Sequence, residues 1–294
     1  MENILLENLD FEKHHGLGND YVLINNLKWG IPDDKKSDLA KKLCKQHFSI
    51  GADGVLFVCH PKLTEVRMKM FNPDGSQAEM CGNGVRCFAK YIYENDIYRK
   101  EEIEIETLKG IVVAKLKVVN NKVVSVTIDM GPPVLDCDSI PVTLESPVNR
   151  CVNESIVVLD KIFNFTAVST GNPHAVIFTK NVINDEDLKK YGLAIESNTK
   201  IFPKKTNVEF VKVLSKEEAV LRVFERGAGV TYSCGTGTCA AVVAGTILGR
   251  FNQNTPVTVH NDGGDLKIIY NGKTVFMEGP AVKVFKGVID RIEF

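Results

Sequence analysis

Two short strings stand out for the chemistry their side chains could do. Cys81-Gly-Asn-Gly84 and Cys234-Gly-Thr-Gly237 share one C-G-[NT]-G pattern and lie 153 positions apart. Each is followed by an apolar segment: Val85, Phe88, Ala89 and Ile92 keep helical spacing after the first, and Cys239 to Leu248 is apolar on every side after the second. Both strings therefore open helices that belong inside the protein. The first turn of a helix leaves N–H groups without partners and carries about half a positive charge, which favours a thiolate and attracts a carboxylate. Gly82, Gly84, Gly235 and Gly237 put no side chain over those donors, so an anionic ligand can approach the backbone. One such cysteine would suggest a nucleophile or a redox thiol. Two, with their helix mouths on a common cleft, suggest thiols flanking one atom from opposite sides. One thiolate can then remove an α-proton while the opposite thiol delivers one, the carbanion's charge spreading into a carboxylate held by N–H dipoles. Such chemistry needs no cofactor and no metal, and none is expected.

The elements that must position these cysteines repeat in the same register. Phe71 ends the alternating segment Val66-Arg-Met-Lys-Met-Phe71, and Phe224 ends Ala219-Val-Leu-Arg-Val-Phe224. Gly18-Asn19 leads into Tyr21-Val-Leu-Ile24 as Gly171-Asn172 leads into His174-Ala-Val-Ile177. Both pairs keep the 153-residue offset, so the chain reads as two copies of one architecture joined near Met130 to Pro133. The expected domains are 1–131 with 280–294, carrying Cys81, and 132–279, carrying Cys234. The alternating Val282-Lys-Val-Phe285 near the C-terminus is expected to return to the first sheet.

Strand patterns fall at 21–25, 54–59, 64–71, 102–106, 111–118 and 122–129, then at 166–169, 174–179, 207–213, 219–225, 257–260, 265–269 and 274–278. Ser37–His47 and Asp185–Tyr191 read as surface helices. The fold class is α+β: two pseudo-symmetric halves, each a mostly antiparallel sheet or barrel around a central buried helix. The lysines from Lys35 to Lys45 read as a solvated helix face, and His14 as a tail residue.

The balance of 36 basic and 37 acidic side chains in 294 residues argues against a partner held by phosphate neutralisation. No nucleic acid and no membrane partner is expected. No run approaches the ~20 apolar residues of a membrane helix, and Met1 to Lys13 is acidic where a secretion signal would be basic, so a cytoplasmic protein is expected. Eight cysteines are too few for a disulfide scaffold, and most should be reduced; Cys87 and Cys239, inside the helices, read as core packing.

These residues resemble the diaminopimelate epimerase family, cofactor-independent enzymes that interconvert LL- and meso-diaminopimelate on the way to lysine and peptidoglycan precursors. The resemblance covers nearly the whole chain after residue 13. It rests on His15-Gly-Leu-Gly-Asn-Asp20, Phe71-Asn-Pro-Asp-Gly-Ser76, Cys81-Gly-Asn-Gly-Val-Arg-Cys87, Gly171-Asn-Pro-His174, Glu225-Arg-Gly-Ala-Gly229 and Cys234-Gly-Thr-Gly237. It implies a duplicated fold and makes Cys81 and Cys234 the two catalytic bases. By the same resemblance Asn19, Asn72, Asn172, Asn207, Glu225 and Arg226 hold the substrate, and the N–H groups of Gly82, Asn83, Gly235 and Thr236 take the reacting carboxylate. Diaminopimelate is an amino acid at both ends. Its distal end thus calls for an arginine on the carboxylate and for carboxylate and amide oxygens on the ammonium. His174 is expected to orient the reacting amine, with Glu225. Two positions depart from the family pattern, Gly54 where many members carry Gln and Val230 where they commonly carry Glu. Both lie near the expected site and bear on substrate choice.

Two rival functions remain open on these residues. One is a two-cysteine racemase of another amino acid such as histidine or proline, against which Glu225-Arg226 speaks. The other is a thiol redox switch built on Cys81 and Cys234. The expected partner is the small-molecule substrate, and a homodimer is left open.

Overall fold

The computed structural model describes residues 5–146 and 148–293; residues 1–4, which begin the acidic opening stretch, and residues 147 and 294 lie outside the described residues. Its elements in chain order are β1 (Leu5–Gly16), β2 (Asn19–Asn25), α1 (Asn26–Trp29), α2 (Asp33–Leu43), β3 (Gly54–Cys59), β4 (Val66–Phe71), β5 (Gln77–Ala78), α3 (Gly82–Glu94), β6 (Glu102–Thr107), β7 (Gly110–Val119), β8 (Lys122–Asp129), β9 (Glu154–Val158), β10 (Lys161–Ser169), β11 (Pro173–Phe178), α4 (Asp185–Glu196), β12 (Asn207–Ser215), β13 (Glu218–Glu225), β14 (Gly229–Thr231), α5 (Gly235–Ile247), β15 (Val257–Asn261), β16 (Gly264–Tyr270), β17 (Val275–Gly279) and β18 (Val282–Glu293). The chain divides into two compact units, one running to Ile128 and resuming at Gly279, the other spanning Asp129–Glu278.

In the first unit the strands pair in the order β18, β1, β2, β3, β4, β6, β7, β8, and only the β2–β3 and β4–β6 joins are parallel. In the second the order is β9, β10, β11, β12, β13, β15, β16, β17, with β11–β12 and β13–β15 parallel. The succession of parallel and antiparallel joins is the same in both, which is the mostly antiparallel, duplicated α+β arrangement expected. The terminal strand β18 does return to β1, pairing from Leu5 opposite Glu293 to His15 opposite Val282. It takes the place that β9 holds in the second unit.

A parallel join needs a crossover segment, and this is why the two key helices are where they are. α3 carries the chain from β4 to β6, and α5 carries it from β13 to β15. α3 is buried from Gly82 through Tyr93, and α5 from Gly237 through Gly245. α5 packs against β10, β11, β12 and β16 of its own unit. Its Gly245 is a close-approach site: a Cβ there would overlap the Phe251 ring, which stands edge-on to Phe178 with centroids 6.4 Å apart.

The structure departs from the sequence reading in a few places, each with a physical cause. β1 and β9 went unrecognised. In β1 the alternation of apolar and polar residues is broken by buried Glu12 and His14, and around β9 exposed Val157, Leu159 and Ile162 erase the polar face. His14 is no tail residue. It is fully buried with Nε2 2.7 Å from Glu12 Oε2, while Lys283 of β18 reaches the other carboxylate oxygen. Burial raises the Glu12 carboxyl, but His14 and Lys283 outweigh it and hold it at about 2. α2 starts four residues before the expected Ser37, where Pro32 caps it and Asp33 and Asp34 occupy its first turn. Lys36 is drawn out of the solvated face, 2% exposed, with Nζ donating to Ile31 O at 2.7 Å. Cys137 and Cys151 form a disulfide inside an apolar cluster with Ile140, Ile156 and Phe202, an exception to the expectation of reduced thiols. Cys87 and Cys239 are fully buried, as core packing requires.

Two stability effects follow. Alanine is a better helix former than glycine by ~1 kcal/mol, yet Gly245→Ala should lower stability by about 1–3 kcal/mol because the Phe251 ring has to move; an unchanged or raised urea midpoint would contradict this packing. Because the Glu12 carboxyl lies below its ordinary value in the folded state, its contribution is present above pH ~4.5 and is lost as pH falls toward 2. A shift of this size corresponds to about 3 kcal/mol. Urea unfolding at neutral and acidic pH should show a shallower acid loss in Glu12→Gln than in the natural chain, and identical losses would count against the buried pair.

Candidate active site

In the first unit Cys81 is the N-cap of α3, with φ −135° and ψ 124° and no cap bond from its own side chain. The sulfur points instead at β2, where Tyr21 Oη lies 3.0 Å from Sγ and Asn19 Oδ1 lies 3.7 Å away. Tyr21 Oη also donates to Asn19 Oδ1, which receives Asn83 Nδ2 at 3.5 Å. Asn19 is fixed from behind by Asp53: its Nδ2 donates to Asp53 Oδ2 at 2.7 Å, and the same oxygen accepts the Asp20 N–H at 2.9 Å. Asn83 is fixed by Arg86, fully buried, whose Nη2 donates to Asn83 Oδ1 at 2.9 Å and whose Nε donates to Pro280 O at 3.1 Å. Gly84 lies close under this group, since a Cβ there would sit 3.5 Å from Tyr21 Cζ and 3.7 Å from Cys81 Cβ. Asn72 stands in the turn after β4 with its amide donating to Ser76 Oγ at 2.9 Å.

In the second unit Cys234 is the N-cap of α5 and its sulfur accepts the Gly237 N–H at 3.4 Å. Thr236 Oγ1 lies 3.3 Å from the sulfur, and the Thr236 carbonyl accepts Thr170 Oγ1 at 2.9 Å. Burial pushes the Cys234 thiol well above its ordinary value, and the carboxylates of Glu225 and Glu209 push in the same direction against the Thr236 and Gly237 hydrogen bonds. This sulfur therefore keeps its proton at neutral pH. His174 is fully buried between two partners, with Nδ1 2.7 Å from Glu209 Oε1 and Nε2 2.9 Å from Asn172 Oδ1. Asn207 donates to Pro173 O at 2.8 Å and accepts the Arg226 N–H at 2.9 Å. Glu225 accepts Thr231 Oγ1, while the exposed Arg226 guanidinium rests on Lys204 O at 3.0 Å.

The structure pairs His174 with Glu209, an acid the sequence reading did not assign to the site. β11 and β12 are parallel with His174 opposite Asn207, so Glu209, two residues on, shares the Asn207 face and meets the imidazole. A Cβ at Gly237 would collide with the Glu209 carboxylate, so the glycine of the C-G-T-G string also makes room for this acid. Among the described residues Glu209 Oε2 has no hydrogen-bond partner, and burial raises its carboxyl above the ordinary value despite His174. One ligand atom each from His174, Glu209 and Cys234 lies within 4.8 Å of the others, a set that suits zinc by type. The 2.7 Å between Nδ1 and Oε1 is a hydrogen bond, and it is shorter than the ~3.3 Å edge that zinc bonds of about 2.0 Å would set at tetrahedral angles. His174 and Glu209 are a hydrogen-bonded pair, and the Cys234 sulfur bonds Thr236 and the Gly237 N–H instead.

Tyr21, Asp53, Arg86 and Glu209 were not singled out in the sequence. One signal was available for the first of them, because Tyr21 stands 153 residues before His174 just as Asn19 stands 153 before Asn172. Gly54 and Val230, the two departures from the family pattern, fall at the start of β3 and in β14.

The chain matches the diaminopimelate epimerase family profile over residues 11–135 and 166–284. Diaminopimelate epimerase of Halothermothrix orenii is 44% identical over 283 residues, covering 96% of this chain and 98% of that protein. The enzyme of the same name from Methanothermobacter thermautotrophicus is 45% identical over 288 residues, with 96% and 98% covered. Among solved structures, a Bacillus anthracis phenazine biosynthesis protein of the PhzF family aligns with TM-score 0.70 at 16% identity, covering 98% of this chain and 99% of that one. A hydroxyproline epimerase from Agrobacterium vitis aligns with TM-score 0.69 at 14% identity, covering 97% and 92%. At these identities the structural likenesses speak for the fold, whereas the curated relatives and the profile speak for the lineage: the chain belongs to the diaminopimelate epimerase family.

Proposed function

We propose that the protein inverts one α-carbon of diaminopimelate, interconverting the LL and meso forms with Cys81 and Cys234 as the two bases. The observation that carries this reading is the pair of cysteines, each at the N-cap position of a buried helix whose first turn opens on glycine, in a chain 44–45% identical to named epimerases. In one direction Cys81 as thiolate takes the α-proton, and Cys234, which burial keeps protonated, gives its proton to the opposite face. Afterwards Cys81 is the thiol and Cys234 the thiolate, so the reverse reaction starts from the state the forward one leaves. The substrate's reacting carboxylate takes the N–H groups of Gly82, Asn83, Gly235 and Thr236, which helix geometry leaves without intrahelical acceptors. Those dipoles are fixed before the reaction and stabilise the carbanion as its charge moves into the carboxylate.

In this reading Asn19, Asn72, Asn172, Asn207, Glu225 and Arg226 hold the substrate. The guanidinium of Arg226 takes the distal carboxylate, with Glu225 and amide oxygens on the distal ammonium. His174 orients the reacting amine and is itself steadied by Glu209 and Asn172. The chemistry assigned to these residues uses no cofactor.

Arg226→Ala should lower kcat/KM for diaminopimelate about 10–100-fold, the size of a lost charge-assisted hydrogen bond. An unchanged value, or equal turnover of an amino acid with no distal ammonium and carboxylate, would favour the rival racemase. In D2O the resting donor thiol carries deuterium, so the inverted product should be labelled early while recovered substrate stays largely unlabelled. Cys81→Ala and Cys234→Ala should each cut inversion by ~10²–10⁴-fold or more. Mass spectrometry of the separated stereoisomers reads the first effect and a chiral assay the second; equal label in both isomers, or near-natural inversion by either variant, would sink the two-base assignment.

A further inference from the structure

We propose that Tyr21 is a positioning residue for Cys81, its hydroxyl holding the sulfur in both protonation states by accepting from the thiol and donating to the thiolate. This rests on the reading of Cys81 as a base that becomes an acid when the reaction reverses. Tyr21 is fully buried on β2, with Oη 3.0 Å from Sγ and a second hydrogen bond to Asn19 Oδ1. A phenol has one proton to donate and lone pairs to accept with. When Cys81 is a thiol, S–H donates to Oη and the phenol O–H donates to Asn19 Oδ1. When Cys81 is a thiolate, the phenol O–H turns onto the sulfur. The Asn19 oxygen then keeps the Asn83 amide at 3.5 Å, so it is not stranded. The proton gained or lost is always the sulfur's, and the phenol retains its own throughout. Burial, followed by the neighbouring Cys81 charge, pushes Tyr21 well above the ordinary phenol value, which agrees with a group that only hydrogen-bonds.

Two further features bear on Tyr21. Tyr21 lies opposite Gly54 in the parallel β2–β3 pair, and a Cβ at 54 would come to 3.0 Å from Phe71 O and 3.5 Å from Tyr21 Cδ1. A side chain at 54 would press first on the Phe71 carbonyl and only touch the ring of Tyr21. In the repeat Tyr21 occupies the position of His174, and each bonds the asparagine two residues before it, Asn19 or Asn172. The other titratable or charged groups facing this corner are Asp20 and Asp53 beside Asn19, Cys87 on α3, and Arg86 acting through Asn83. All of them remain in a Tyr21→Phe variant.

The test is the rate at which iodoacetamide alkylates Cys81 as a function of pH, read by peptide mapping, with Cys234 in the same digest as reference. In Tyr21→Phe the Cys81 curve should move to higher pH by about one unit or more, a roughly tenfold lower thiolate fraction at a given pH, while the Cys234 curve stays in place. Diaminopimelate inversion should fall about 10–100-fold in kcat with KM changed less than about twofold. Coincident Cys81 curves in the two proteins would overturn the proposal. A shifted curve in a protein that does not invert diaminopimelate even with Tyr21 intact would uphold Tyr21 and overturn the substrate instead. Should Tyr21→Phe fail to fold, 3-fluorotyrosine at position 21 offers a more acidic donor; the curve should then move to lower pH, and an unmoved curve would overturn the proposal.

Discussion

A helix can be buried along its length without cost to its backbone except at its ends, where the first N–H groups have no acceptor within the helix. α3 and α5 carry that problem into the interior, each beginning with a cysteine followed by glycine-rich turns. Cys234 meets part of it with its own sulfur, which accepts the Gly237 N–H, whereas Cys81 makes no such cap bond. An incoming carboxylate supplies the missing acceptors and meets the positive end of the helix dipole. In the proposed reaction the same turn receives an anionic ligand, steadies the carbanion formed from it and places a sulfur beside it.

The duplicated framework is then used asymmetrically. The positions around each cysteine correspond, asparagine for asparagine and Tyr21 for His174, but their charges differ. Cys234 shares its interior with Glu209 and Glu225, whose carboxylates favour the protonated sulfur. Cys81 touches the Tyr21 phenol and the Asn19 amide, with Asp53 one hydrogen bond behind. The duplication thus repeats the framework around the two cysteines but not the side chains that touch them.

Buried polar groups in each unit carry a cost that apolar residues would not. Arg86 is fully buried and spends its donors on Asn83 and Pro280 O, and Glu209 leaves Oε2 without a partner among the described residues. Neither arrangement is explained by packing alone. Arg86 fixes the orientation of Asn83, hence of the amide beside Asn19, and Glu209 fixes the ring of His174. Rigidity around a site is obtained here by hydrogen bonds to residues that themselves stay out of solvent.

The repeat, the buried helices and both cysteines were legible in the chain because each is a local pattern: a spacing of apolar residues, a glycine-rich turn, a string recurring at one offset. The return of β18 to β1 was legible for the same reason, as a strand pattern left over after the second half. What failed were patterns with polar residues on the inner face, such as Glu12 and His14 in β1, because binary patterning counts only apolar residues as interior. The contacts among the site residues were not legible, although the repeat register marked the position of Tyr21. Glu209 meets His174 through the parallel register of β11 and β12, and Tyr21 meets Cys81 because α3 crosses inside the sheet that holds β2. These are contacts between residues 35 and 60 positions apart. The sequence alone determined which residue types stand at the helix mouths, since periodicity and turn chemistry act over a few residues; only the tertiary structure decided what each sulfur touches, since strand register and crossover packing join segments whose separation carries no local signal.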